Sequence, residues 1–333
     1  MYKPVNKRIL LYLLLLLPVV FSACKKDSPT AGADDRDNRL SFVMSANFNL
    51  TLFTAGLDYT HYADTLQQPG PYTVLAPSDA AFEAAGYSSA VAIQAAGSAM
   101  NQLIGYHILG GVYPLDQLPF LFNQEIRTLD DEAMYVTHWV KNNDTVVTIN
   151  GATVISLNLP ASNGVIQVLN QVLNPSLYTT VQQAVAADPA LTYFNAALLH
   201  SGLAATLQGA GPFTLFAPVN SAFVAMGYPT TDSINHTDPA VLASLLNYHI
   251  LSGRRFVNDF VLTTDATNNS QQVMLDGTNI TVHLVPDPSN PGSYSGITVQ
   301  GTGNTSASTL VRQNVLAGNG VLHTIDQVLK TEY

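Results

Sequence analysis

Two stretches carry apolar residues at helical spacing: Phe53, Leu57 and Leu66 in residues 48–66, and Phe194, Leu198 and Leu207 in residues 189–207. Each is followed by a Gly-Pro turn, at residues 70–71 and 211–212. After the first turn, Thr73-Val74-Leu75-Ala76 reads as a short strand, ended by Pro77 because proline supplies no backbone donor. Asp79 and Asn220 then stand where they would N-cap the short helices that contain Phe82 and Phe223. Residues 90–109 and 238–251 read as helices ending near a Tyr-His pair. Beyond them the period changes to two. Residues 145–155 alternate around Asn150-Gly151, and Asp276-Gly277 stands between Met274-Leu275 and Ile280-Thr281-Val282; both are hairpin signals. Val165 to Leu173 is a β-branched closing strand. Helices grouped early and antiparallel strands grouped late predict an α+β domain.

The pattern occurs twice. Gly70-Pro71-Tyr72-Thr73-Val74-Leu75-Ala76-Pro77 recurs as Gly211-Pro212-Phe213-Thr214-Leu215-Phe216-Ala217-Pro218, and residues 70–87 match 211–228 at ten of 18 positions. Chance gives about one. Tyr106-His107-Ile108-Leu109 returns as Tyr248-His249-Ile250-Leu251, and Asn163-Gly164-Val165 as Asn319-Gly320-Val321. The offset grows from 141 to 142 and then to 156, so the second copy gains 14 residues between its second and third motifs. Their place is expected at the Pro/Gly/Ser-rich run 286–296. Two tandem domains, 40–176 and 177–333, follow from the spacing, with Asn174-Pro175-Ser176 at the join. So short a connection predicts domains that touch.

The three ordered motifs resemble the fasciclin family. Its first block stands as Thr73-Val74-Leu75-Ala76-Pro77-Ser78-Asp79-Ala80-Ala81-Phe82 and again as residues 214–223. Its last block is well kept as Asn319-Gly320-Val321-Leu322-His323-Thr324-Ile325-Asp326-Gln327-Val328-Leu329; the first copy has Gln167 and Asn170 where the family has His and Asp. The resemblance implies two wedge-like β-sandwiches with flanking helices, used for adhesion and extracellular binding.

The first residues set the compartment. Lys3, Lys7 and Arg8 precede an apolar run from Ile9 to Phe21. That run is shorter than the roughly 20 residues of a membrane-spanning helix and fits a signal peptide. Phe21-Ser22-Ala23-Cys24 resembles a bacterial lipobox, so cleavage after residue 23 and lipidation of Cys24 are expected. Residues 24–39 read as a solvated tether. Lys25 differs from the aspartate of an inner-membrane retention signal, which favours an outer-membrane lipoprotein, at the cell surface or on the periplasmic face. Cys24 is the single cysteine, so an intrachain disulfide or thiolate zinc cluster is excluded.

Charge and motif then narrow the function. Charged residues make up 11% of the chain and the net charge is −10, falling to −13 without the leader. An acidic surface with no basic run excludes nucleic acid and leaves the lipid anchor as the contact with membrane. The four glutamates stand at 83, 125, 132 and 332, and no carboxylate is matched by a carboxylate in the aligned motifs. A paired-carboxylate hydrolase is therefore not expected. The histidines show no metal-binding spacing, and no cofactor or metal is expected. His323 and Asp326 are three apart on a strand and so face opposite sides.

The candidate contact residues are the recurring Tyr106, His107, Tyr248 and His249, together with Asp287, Asn290 and Tyr294 in the second copy's loop. Two readings of the Tyr-His pairs stay open. One has the imidazole satisfying a backbone carbonyl while the tyrosine packs; the other is the receptor-contact region that the resemblance implies. Asp64-Thr65-Leu66, Asp144-Thr145-Val146 and Asp232-Ser233-Ile234 resemble an O-glycosylation sequon of some surface lipoproteins, a pattern permissive enough to recur by chance. The expectation is a non-enzymatic envelope lipoprotein that binds extracellular protein or polysaccharide. A structural scaffold, or an accessory of a polysaccharide-uptake complex, is the alternative. Within the pair, the first copy, lacking the His and Asp, is expected to be the spacer and the second the contact domain.

Overall fold

The computed structural model describes residues 38–289 and 293–332. The leader, Cys24 and most of the tether lie outside them, as does Asn290. Among the described residues no helix is long and apolar enough to cross a membrane.

The first copy contains α1 (Leu40–Ser45), α2 (Thr51–Tyr59), α3 (Tyr62–Leu66), β1 (Tyr72–Pro77), α4 (Asp79–Ala84), α5 (Ala90–Ala95), α6 (Ser98–Tyr106) and β2 (Ile108–Gly110). Then come β3 (Gln124–Arg127), β4 (Ala133–Lys141), β5 (Asp144–Ile149), β6 (Ala152–Ala161) and β7 (Gly164–Leu169). The second copy repeats the plan. It has α7 (Val181–Ala187), α8 (Thr192–His200), α9 (Leu203–Leu207), β8 (Phe213–Pro218), α10 (Asn220–Met226), α11 (Thr231–Asn235), α12 (Pro239–Asn247) and β9 (Ile250–Ser252). A further helix α13 (Val257–Thr263) precedes β10 (Asn269–Val273), β11 (Asn279–Pro286), β12 (Tyr294–Gly301), β13 (Ser308–Ala317) and β14 (Gly320–Ile325).

Each copy has one seven-stranded sheet, in the orders β2-β1-β7-β6-β5-β4-β3 and β9-β8-β14-β13-β12-β11-β10. The first and last motifs meet in it as a parallel pair, β1 with β7 and β8 with β14, while the other pairings are antiparallel. β6 pairs with β5 through its first residues and with β7 along the rest, its register shifting at residues 154–159. These bulges let one strand serve both faces of the sandwich. One core lies under the helices around Phe53, Phe82 and Ile104, and another between the sheet faces around Leu75, Met134 and Ile149.

The predicted hairpins are present. Asn150 and Gly151 both have positive φ, 48° and 85°, the conformation a two-residue turn needs. The long helices at 48–66 and 189–207 are each broken by a left-handed residue, His61 and Gly202, at equivalent places. Asp79 does cap a helix, but a different one from that expected. Its carboxylate accepts the Leu52 N–H at 2.8 Å and the Thr51 hydroxyl at 2.6 Å, at the start of α2, while Ser78 caps α4. Asn220 likewise accepts the Tyr193 N–H at 3.0 Å, at the start of α8. The extra residues of the second copy are also spread more widely than expected. The β11–β12 connection, residues 287–293, replaces the two-residue turn Asn142-Asn143, and the β12–β13 connection, residues 302–307, replaces Asn150-Gly151.

Asn163 and Asn319 show why the last motif begins with asparagine. The Asn163 amide accepts the Leu40 N–H at 2.9 Å and donates to the carbonyls of Leu66 and Gln68 at 2.8 and 2.7 Å. Asn319 makes the matching bonds to Val181, Leu207 and Gly209. One buried amide thus ties the first helix, the end of the third and the closing strand together. Replacing it leaves a buried donor and buried acceptors unpaired. Asn163→Ala is expected to cost about 3 kcal/mol, measured as a lower urea midpoint for unfolding of the first copy at unchanged m-value.

Candidate functional site: the cleft between the two copies

The Tyr-His pairs are interior groups, which corrects their expectation as a contact surface. Tyr106 and His107 are 2% and 0% exposed, Tyr248 and His249 1% and 0%. His107 donates from Nδ1 to the Leu103 carbonyl at 2.8 Å, and its Nε2 accepts the Leu173 N–H at 3.0 Å. His249 repeats this with Leu245 and Leu329, both at 2.9 Å. The Tyr106 hydroxyl donates to the Ala133 carbonyl and accepts from Asn150, both at 2.8 Å, and burial pushes its pKa up. Tyr248 donates to the Asn279 carbonyl at 2.7 Å and accepts the Thr302 N–H at 3.0 Å. Each pair therefore staples the end of a helix to the sheet region and to the segment that follows the copy's last strand.

The first copy has not lost the work of its missing His and Asp either. In the second copy, His323 accepts the Asn314 N–H at 3.3 Å and donates to the Arg255 carbonyl at 3.0 Å. In the first, Gln167 accepts the Asn158 N–H at 2.8 Å and donates to the Tyr113 carbonyl at 3.3 Å. Asp326 accepts the Thr309 N–H at 2.9 Å, and Asn170 accepts the equivalent Thr153 N–H at 2.7 Å. Both pairs of residues do the same structural job, so these differences do not make one copy the spacer and the other the contact domain.

The copies meet through residues that the motifs did not mark. Asp259 of α13 is 0% exposed. Its carboxylate accepts the Phe256 N–H at 2.8 Å within its own copy. From the first copy it accepts the Thr137 hydroxyl at 2.8 Å and the Asn123 amide at 3.0 Å. Burial pushes its pKa up and these donors oppose that shift. Arg254, also buried, spends its guanidinium on the carbonyls of Ala317, Gly318 and Gly320 at 2.8 to 3.0 Å. Its flat face lies 3.8 Å from the centre of the Tyr135 ring of the first copy, a cation–π contact. Asn258 reaches across to the Gly151 carbonyl at 2.7 Å and the Thr153 hydroxyl at 3.2 Å. A signal was available: Asp259 is a carboxylate in the apolar run Phe256 to Leu262, just after the pair Arg254-Arg255.

Beside this junction lies a cleft of about 420 Å³, lined from both copies. The first contributes Gly151, Thr153, Asn170 and Gln171, and the second Asn258, Gln313, Asn314 and the sequence-predicted Asp287 and Tyr294. Asp287 is the single carboxylate among its lining residues. It accepts the Ser289 N–H at 2.8 Å and the Ser293 hydroxyl at 3.4 Å. The Tyr294 hydroxyl is held by Asn268 at 2.6 Å. A second cleft, of about 400 Å³, follows the linker at Ser176–Thr179 and is more apolar. Among the described residues no group of three or more His, Cys, Asp or Glu could hold a metal ion.

The Fasciclin domain profile matches residues 48–175 and 189–331. The chain belongs to the fasciclin domain family. The transforming growth factor-beta-induced protein ig-h3 of Sus scrofa is 27% identical over 267 residues, 79% of this chain and 35% of that protein. Protein sll1483 of Synechocystis is 32% identical over 137 residues, 40% of this chain and 72% of that protein. The chain thus spans about a third of the length of the pig protein. A solved FAS1 domain pair from the insect cell adhesion molecule fasciclin I aligns with a TM-score of 0.41 at 19% identity, covering 84% of this chain and 95% of that one.

The buried histidines of the fasciclin copies give a pH prediction. Burial lowers His107, His249 and His323 from 6.5 to about 4. The unfolded chain therefore binds more protons than the folded one between about pH 4 and 6.5, and stability falls as the pH drops through that window. Each histidine contributes a slope of up to about 1.4 kcal/mol per pH unit. His323→Gln installs the first copy's solution. Urea unfolding of the variant is expected to be less acid-sensitive than wild type by about that slope; equal slopes would remove His323 from the account.

Proposed function

We propose that the chain is a non-catalytic, adhesion-type binding protein of the bacterial cell envelope. In this reading lipidated Cys24 anchors it to the outer membrane, and the two fasciclin copies act as one rigid unit toward an extracellular protein or glycan. The observation that carries the reading is the buried junction at Asp259. A fully buried carboxylate that takes hydrogen bonds from both copies is costly to expose half-satisfied. It holds the copies in one arrangement, and that arrangement forms a cleft that neither copy has alone. Family membership, the low charge and the leader all agree with extracytoplasmic binding.

Binding to a panel of extracellular proteins and glycans tests the reading. The mature chain is expected to bind saturably, and residues 40–176 and 177–333 expressed separately to bind at least about tenfold more weakly. Asp259→Ala leaves the Thr137 hydroxyl without its acceptor and the Asn123 amide with the Arg254 carbonyl alone, at a cost of roughly 1–3 kcal/mol. It is expected to weaken binding while each copy keeps its circular dichroism. Full binding by one isolated copy would overturn the paired-unit reading.

The anchor has its own test. Cys24→Ser is expected to abolish incorporation of labelled fatty acid and to move the protein from the membrane fraction to the soluble fraction. Membrane retention without label would refute lipidation as the anchor.

A further inference from the structure

We infer that the cleft between the copies is a recognition site for an uncharged glycan, an inference that rests on the binding role proposed above. Its volume of about 420 Å³ lies within the range of small-ligand sites, roughly 300–1,000 Å³. Five carboxamides line it: Asn170, Gln171, Asn258, Gln313 and Asn314.

Their bonds within the protein use part of their capacity. The Asn170 and Asn314 oxygens accept the N–H groups of Thr153 and Val257, and the Asn258 nitrogen donates to Gly151 and Thr153. That leaves the nitrogens of Asn170 and Asn314 as donors and the oxygen of Asn258 as an acceptor. Gln171 and Gln313 are exposed and keep their whole amides for a ligand. Such a mixture of donors and acceptors on a fixed floor matches groups that both donate and accept, which are hydroxyls. The ring of Tyr294 adds an apolar surface of the kind that sugar C–H groups pack against.

Charge selects among glycans. Among the described residues the lining holds no Lys, Arg, His or Glu, and Asp287 is engaged by Ser289 and Ser293. An acidic polysaccharide would find no cation to pair with its carboxylates or sulfates. Among the described residues of the lining, Val257 and Val261 are the only aliphatic side chains larger than a methyl, so an apolar peptide anchor has little to fill. A neutral hexose or pentose polymer fits the chemistry best.

The test uses the mature chain against neutral oligosaccharides (β-glucan, xylan, mannan and galactan fragments), acidic glycans and extracellular matrix proteins, with affinities by calorimetry. At least one neutral oligosaccharide is expected to bind, with affinity unchanged within about twofold when salt is raised to about 0.5 M. The double variant Gln171→Ala, Gln313→Ala removes two exposed amides that the fold does not use. It is expected to keep its unfolding midpoint and lose about tenfold or more in affinity. Unchanged affinity in that variant, or binding of acidic glycans alone, overturns the inference. Binding of matrix proteins alone overturns it too but leaves the adhesion reading standing. Absence of binding to all three classes overturns both.

Discussion

The arrangement of the two copies depends on one buried carboxylate. Asp259 takes one hydrogen bond from the Phe256 N–H of its own copy and two from the neighbouring copy, and it is fully shielded from water. Separating the copies without hydrating it would strand a charge, and hydrating it requires opening the whole junction. The Arg254 guanidinium acts differently. It closes three carbonyls around the turn between β13 and β14 and so hardens the second copy's own surface, then offers its face to Tyr135. Polar groups thus provide orientation, while the apolar cores of each copy provide the stability of the parts.

Much of the fold was legible in the sequence because repetition and turn chemistry are local. Asn150-Gly151 needs no partner elsewhere to announce a hairpin, and the parallel meeting of β1 with β7 explains why the first and last motifs are both kept. Roles that depend on distant neighbours were less legible. Asp79 precedes a helix and looks like its cap, but its carboxylate turns to the start of α2, 27 residues earlier. Tyr106 and His107 recur with the regularity of a contact motif, and that regularity comes from a shared internal staple. An imidazole holding a carbonyl and an N–H at once is as constrained as a binding residue, and the chain alone does not distinguish the two.

The same limit applies to differences between the copies. Gln167 in place of His323 looks like a loss until both are seen to accept one backbone N–H and donate to one carbonyl. Side-chain amide and imidazole both present a donor and an acceptor, so the substitution preserves the bonding while changing the acid response. Asp287 and Tyr294 stand out in the sequence because an inserted loop is visible as an offset, and the structure places them in the lining of the cleft. The cleft's amides were not found, since Asn and Gln are common on a surface this poor in charge.

What makes the pair a pair is divergence at one face. The Thr73 hydroxyl bonds to Gly111 and Tyr113 just as the Thr214 hydroxyl bonds to Gly253 and Arg255, which fixes the equivalence of the two segments. By that register Arg254, Asn258 and Asp259 correspond to Val112, Asp116 and Gln117. In the second copy these positions are the docking face; in the first they face solvent, and Val112 is 50% exposed. The contact is head-to-tail, the 254–259 segment of the second copy meeting different positions, Asn123, Thr137 and Gly151, of the first. Such a contact would propagate into a chain of copies if both carried the same docking residues. With Val112 and Gln117 in place of the arginine and the aspartate, the first copy lacks the groups that would seat a further neighbour. The cleft, built from one copy's hairpin and the other's α13 and loop, therefore forms at this junction through residues that the first copy does not repeat.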